Sequence, residues 1–259
     1  MSAAGELALK LVLTPVLVGA ASLTGRRWGP ALGGWLVGIP FTSAPIAFFL
    51  ALDPGPSFAA AAAVGIIAGT ASQACFCLAY SWVAQRQGWV ASLLAATAAF
   101  AAATVLLDAV VLPVPGLYVV MVLVLVVALF FMPSDATRAA EDVRFPAWDI
   151  PARILVATAF VIALTSVAPL LGARLAGLLA PFPLYGSVLA AFAHRLEGAR
   201  SAVGVLRGLL LGLFAFASFF LVLALLLPAG IAIAFVAAIA VGLVVQGTSL
   251  LAGRRLGLA

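Results

Sequence analysis

The chain has 259 residues, of which 66% are hydrophobic and only 8% charged, with a mean hydropathy of +1.30, whereas a soluble domain carries about 25% charged residues. This excludes a soluble enzyme or a water-exposed binding module and points to an all-α integral membrane protein, because the apolar runs are too long and continuous for barrel strands, which alternate over roughly ten residues. The net charge of +5 lies in short loops between apolar runs, so it reads as topology information and not as a nucleic-acid footprint.

Cutting the chain at charge, Gly and Pro clusters predicts nine membrane helices, at 6–24, 30–52, 58–84, 89–112, 115–132, 150–170, 172–193, 201–227 and 229–251. The first opens with Glu6 and Lys10, an i,i+4 pair with the acid toward the N-terminus, as the helix dipole prefers. Lys10 and the small residues of GAAS that follow its apolar run also resemble a cleavable signal peptide.

The second span is interrupted by GIPFTSAP (Gly38 to Pro45), with two prolines and two hydroxyls in the middle of an otherwise unbroken apolar run. Proline removes a backbone donor and clashes with the preceding turn, and in lipid the freed groups must find partners inside the protein. The break is therefore either a packing kink or an unwound segment that exposes Pro40, Thr42 and Ser43 to a cavity.

The third span carries GTASQ (Gly69 to Gln73) at its centre. Thr70 and Ser72 suit bonds to neighbouring helices, and Gln73, with four bonding directions, is the better substrate contact. The same span holds Cys75 and Cys77, which point to different faces and read as small apolar fillers. Asp108, about one turn inside the outer end of the fourth span, is the one carboxylate at depth and the candidate for proton coupling.

The fifth span, flanked by Pro113, Pro115 and Pro133, leads into the one substantial loop, Pro133 to Asp149. Asp149 and Arg153 then form a second i,i+4 pair at the start of the sixth span. The seventh contains APFPLYGS (Ala180 to Ser187), and His194 lies at its end beside Arg195, an interfacial position. The eighth holds two overlapping GxxxG spacings (Gly204, Gly208, Gly212), matching Gly65 and Gly69 of the third, a pattern that lets backbones approach closely. Spans three and eight are expected to cross, with two and seven beside them. Arg207, two turns into the eighth span, is a candidate for snorkelling or for anionic lipid.

Ten arginines (Arg26, Arg27, Arg86, Arg138, Arg144, Arg153, Arg195, Arg200, Arg254, Arg255) fall on one side of this arrangement and only Lys10 and Arg174 on the other. The basic side is expected to be cytoplasmic, with the N-terminus outside and the C-terminus inside. Trp28, Trp82, Trp89 and Trp148 gather at that same interface.

Shifting the sequence by 143 residues lays Gly29, Leu32, Gly34, Leu36 and Pro40 on Gly172, Leu175, Gly177, Leu179 and Pro183, Glu6 and Lys10 on Asp149 and Arg153, and Gly65 and Gly69 on Gly208 and Gly212. The shift moves the register by five spans, an odd number, so the halves are expected to be inverted repeats. This also argues against cleavage near GAAS. Residues 1–113 form the first four-helix repeat, 114–149 the linker helix and loop, and 150–259 the second repeat.

Ala176, Gly177, Leu178, Phe182, Pro183, Ala193 and His194 resemble the GlpM family of small bacterial inner-membrane proteins, over roughly 150–250. The resemblance implies a four-helix unit, duplicated here, in a bacterial inner membrane.

Inverted repeats with interrupted helices at corresponding positions suit secondary transporters with a midplane site. The first functional reading is a small transporter or lipid-linked-substrate flippase, its cavity lined by Pro40, Thr42, Ser43, Thr70, Gln73, Pro183, Tyr185 and Ser187. The second is a structural or assembly subunit of an envelope-polysaccharide or membrane complex. With one His and no GxSxG or HExxH motif, an enzyme is not expected, nor is a cofactor or metal. Candidate partners are membrane lipids, a small-molecule or lipid-linked substrate and a second copy of the chain.

Overall fold

The computed structural model describes residues 3–41, 43–53, 55–108, 112–133, 145–163 and 181–257, with the side chains of 3–10 and Asp108 left aside. Among these residues every regular element is a helix. In chain order they are α1 (Ala3–Trp28), α2 (Pro30–Val37), α3 (Ser43–Leu52), α4 (Pro56–Val83), α5 (Trp89–Asp108), α6 (Val114–Phe131), α7 (149–163), α8 (Leu184–Glu197), α9 (Ala199–Leu226) and α10 (Ile231–Arg255). A single 3-10 turn, Leu227–Ala229, joins the last two.

Among the described residues five helices are long and apolar enough to cross a membrane: α4, α5, α6, α9 extended by its 3-10 turn, and α10. The chain is an α-helical membrane protein. The expected fifth span coincides with α6, whose mean hydropathy of 2.8 equals that of α9. The expected second span is not one helix but two, α2 and α3, of 8 and 10 residues. Pro40 supplies no N–H and its ring obstructs the turn before it, so α2 ends on bonds from Gly38 N–H to the Trp35 carbonyl and Ile39 N–H to the Leu36 carbonyl. The expected sixth and seventh spans are helical over 149–163 and Leu184–Glu197, and residues 164–180 lie outside the described residues.

Within their most apolar stretches 61% of α9 and 56% of α4 is buried, against 17% of α5 and of α10. The first two therefore form the centre and the other two the periphery. Phe76 and Tyr80 of α4 and Leu206, Leu210 and Phe220 of α9 are fully enclosed. Tyr80, near the end of α4, approaches His194 of α8 with the hydroxyl 3.3 Å from Nδ1, and α9 begins directly after α8. The final turn of α9 also packs on α4. The two central helices are thus antiparallel.

Alongside α9 runs α2, parallel to it and held backbone to backbone. Gly34 faces the Val205 carbonyl, Gly208 faces the Ala31 carbonyl, and Gly38 lies on Gly212. A Cβ at Gly212 would sit 2.7 Å from the Gly38 Cα and from the Trp35 carbonyl oxygen, closer than real Cβ atoms approach. In lipid, where helices gain nothing from hiding apolar surface from water, small residues allow the close contact that drives association.

Helices α4 and α9 both have 28 residues, and their bounds, 56 and 83 against 199 and 226, are each 143 apart. The glycines before them, Gly55 and Gly198, share the same spacing and both take positive φ, 129° and 92°. Gly69 of α4 lies against Pro181, and the same displacement relates that pair to Gly212 and Gly38.

Adding a methyl group where backbones touch forces helices apart, and overpacking typically costs about 1–3 kcal/mol. Gly208→Ala should therefore lower the thermal midpoint of the purified protein by several degrees. At Gly65 a Cβ would meet nothing within 4 Å, so Gly65→Ala should leave the midpoint unchanged or raise it through the roughly 1 kcal/mol advantage of Ala in a helix. Equal effects of the two substitutions would refute the close-contact account of α2 and α9.

Candidate functional site

The break between α2 and α3 opens on a cleft of about 330 Å³, bordered by Ile39, Pro40, Phe41, Ala44 and Pro45 on one wall and by Phe219 of α9 and Gly242, Leu243 and Gln246 of α10 on the other. Among the described residues the side chains that line it are apolar except for Gln246, and Thr42, expected to line a polar cavity here, lies outside them. Phe41, Ile239 and Leu243 on its rim are exposed, so the cleft opens sideways, toward where lipid would lie. Eight to ten residues separate it from the start of α2, roughly 12–15 Å at 1.5 Å per residue, about half the hydrocarbon thickness.

Gln246 is buried, 4% exposed. Its Nε2 donates to the Trp35 carbonyl at 2.9 Å, and that bond fixes the amide orientation, since only the nitrogen can donate. The Oε1 atom is then enclosed with no hydrogen-bond partner, a state that costs about 1–3 kcal/mol for a buried acceptor. Trp35 also donates its indole N–H to Ser249 Oγ, at 3.4 Å. The end of α2 is therefore held from α10 at two points.

At the second break the described residues begin with Pro181. Phe182 meets the rings of Phe76, Phe100 and Phe160 at centroid distances of 5.7, 5.4 and 6.0 Å. Pro183 is buried at the start of α8, where its carbonyl accepts from Ser187 N–H at 2.8 Å, and Ser187 Oγ donates to the Leu184 carbonyl. The Tyr185 hydroxyl lies 3.0 Å from Thr14 Oγ1 of α1. Of the first break's residues, Ser43 opens α3, and Thr42 lies outside the described residues.

In α4, Thr70 donates to the Ile66 carbonyl of its own helix, and Ser72 and Gln73 are buried one turn beyond Gly69, beside the second break. Asp108 closes α5, and its side chain lies outside the described residues. Arg207 is buried and donates to the Pro133 carbonyl at 2.6 Å. Instead of snorkelling to water, the guanidinium fastens the end of α6 to α9.

The Asp149–Arg153 pair forms as expected, with Nε to Oδ1 at 2.8 Å, but it belongs to a larger network. Arg26 of α1 donates to Asp149 Oδ2 at 2.8 Å, and Glu197 Oε1 lies 3.8 Å from Arg153. Asp149 is fully enclosed. The network ties the end of α1 to the start of α7 and the end of α8 on the arginine-rich side. Burial pushes the Glu197 carboxyl above its ordinary range, with Ser201 and the Arg153 guanidinium partly opposing this. Among the described residues no group of three or more His, Cys, Asp or Glu could hold a metal ion.

Sequence reasoning missed Gln246, Arg26, Glu197 and the ring contacts of Phe182. A signal was present for Gln246, the one primary amide in the apolar run of α10. None was present for Arg26 with Asp149, which are 123 residues apart.

Removing one partner of a buried ion pair costs about 3–5 kcal/mol, so Asp149→Asn should destabilise strongly in thermal unfolding. Arg26→Gln, at a half-exposed position, should cost about 1 kcal/mol or less. The native Glu197 carboxyl holds its proton more tightly than the unfolded chain does. Its contribution to stability therefore falls as pH rises from the ordinary value of 4.5 through the raised one. Unfolding midpoints across that range should flatten in Glu197→Gln, and an unchanged slope would remove Glu197 as its source.

Comparison of the chain with family models, with curated proteins and with solved structures found no match.

Proposed function

We propose that the protein is a small carrier or flippase for an apolar or lipid-linked substrate, built from two inverted four-helix repeats and entered sideways through the cleft at the α2–α3 break. The observation that carries this reading is the cleft itself, which opens sideways at the helix break and is lined almost wholly by apolar side chains among the described residues. Such a site suits a ligand with an apolar body.

The repeat reading is supported by the common 143-residue spacing of α4 and α9, their antiparallel course and the paired contacts Gly38–Gly212 and Gly69–Pro181. Under that spacing Ile39 of the first break corresponds to Phe182 of the second. The arginine-rich side is the cytoplasmic side in this proposal, the host membrane is a bacterial inner membrane, and the second half keeps its GlpM resemblance through Phe182, Pro183, Ala193 and His194. Asp108 remains the proposed coupling carboxylate.

A second reading, a non-transporting structural subunit, is favoured by the bond from Gln246 to the Trp35 carbonyl, since a packing kink satisfies its freed carbonyls from neighbouring side chains. The cleft supports the carrier reading, since a kink that serves packing alone gives no reason for an open volume beside it.

Reconstituted into liposomes, the protein should speed the exchange of a fluorescent polyprenyl phosphate between leaflets, read by dithionite quenching. Gly242→Phe, which fills the cleft, should abolish the exchange, whereas Gly65→Ala should not change it. Lack of exchange in a folded native protein would reject the carrier reading for this substrate class and favour the structural one.

A further inference from the structure

A second cleft, of about 370 Å³, runs between α6, α9 and α10 and takes no part in the proposed carrier path. Val126 and Phe130 of α6, Leu211 and Phe214 of α9, and Val245 and Ala252 of α10 form its walls. Its two hydroxyls make no demand on a ligand: Thr248 Oγ1 donates to the Val244 and Val245 carbonyls, and Ser249 Oγ donates to the Gln246 carbonyl. The interior therefore suits hydrocarbon.

The cleft has a direction and a length. It extends from Val245 to Leu256, eleven residues along α10, or about 16 Å at 1.5 Å per residue, close to half of the roughly 30 Å hydrocarbon core. It thus covers one leaflet. Its end lies on the arginine-rich side, where Arg207 holds the Pro133 carbonyl at the end of α6. Trp82 there donates its indole N–H to the Phe131 carbonyl at 2.9 Å, the amphipathic contact of an interfacial Trp.

At the level of that mouth, in the last turn of α10, are Arg254 and Arg255, both exposed. Arg255 is three residues from Ala252 and one from Leu256, so it falls on the edge of the face that lines the cleft. An apolar trough of one leaflet's depth with two exposed guanidinium groups at its interfacial end matches an acyl chain joined to a phosphate. We propose that the α6–α9–α10 cleft is a specific site for an anionic phospholipid of the arginine-rich leaflet, with an acyl chain between the helices and the phosphate at Arg254 and Arg255. Zwitterionic lipid offers the same chain and less charge, and a soluble phosphate offers the charge without the chain.

The test uses the full chain purified in detergent, with native mass spectrometry and thermal unfolding in the presence of phosphatidylglycerol, phosphatidylcholine of the same acyl chains, or glycerol phosphate. Phosphatidylglycerol should be retained and should raise the unfolding midpoint more than phosphatidylcholine, and glycerol phosphate should do neither. The Arg254→Gln/Arg255→Gln protein should bind phosphatidylglycerol on the order of 30-fold more weakly, about fivefold for each arginine, and lose the preference. Ala252→Phe should weaken both lipids. Equal retention of the two lipids, an undiminished preference in the double variant, the same stabilisation by glycerol phosphate, or unaltered binding in Ala252→Phe would each overturn the site. None of these outcomes bears on the cleft at Pro40, which leaflet exchange tests separately.

Discussion

The contact between the backbones of α2 and α9 is the constraint on which the rest of the architecture depends. In a bilayer, apolar side chains are as comfortable against lipid as against one another, so two helices associate only where the fit between them is closer than either finds with lipid. Gly34, Gly38, Gly208 and Gly212 provide that fit by having no side chain. Once α2 is fixed to α9, the position of the break at Pro40 is fixed with it, and α3 and α10 have to be placed around an interruption they did not create. The cleft is what remains between them.

The charged network at the other level of the molecule acts on different helices by a different force. Asp149 is enclosed, and both of its oxygens accept from guanidinium groups. Such a cluster adds little net stability over apolar packing of the same volume, but it is costly to break in part. Its effect is to set which helix ends lie together. Van der Waals contact thus places α2 on α9, and charge places α1, α7 and α8.

The helical class, the positions of the five long apolar helices and the location of the first break were legible in the sequence, because each follows from hydropathy or from proline, which act locally. The glycine spacings of α4 and α9 were legible too, though their partners were not: that Gly208 would meet Ala31 and Gly69 would meet Pro181 depends on tertiary approach. The far wall of the cleft was not legible. Hydroxyls and prolines in GIPFTSAP suggested polarity, whereas the opposite wall comes from Phe219, Gly242 and Leu243, more than 170 residues away in sequence. Gln73 and Gln246 carried the same local signal, an amide in an apolar run, and only the three-dimensional arrangement distinguishes the one beside the open cleft.

Trp35 joins the two clefts. Its carbonyl accepts from Gln246, which lines the cleft at Pro40, and its indole donates to Ser249, which lines the second cleft. These partners are three residues apart, about one helical turn, so α10 cannot rotate about its axis against α2 without straining both bonds together. The indole is also a chromophore, so a shift of α10 against α2 has an optical signature of its own in the emission of Trp35.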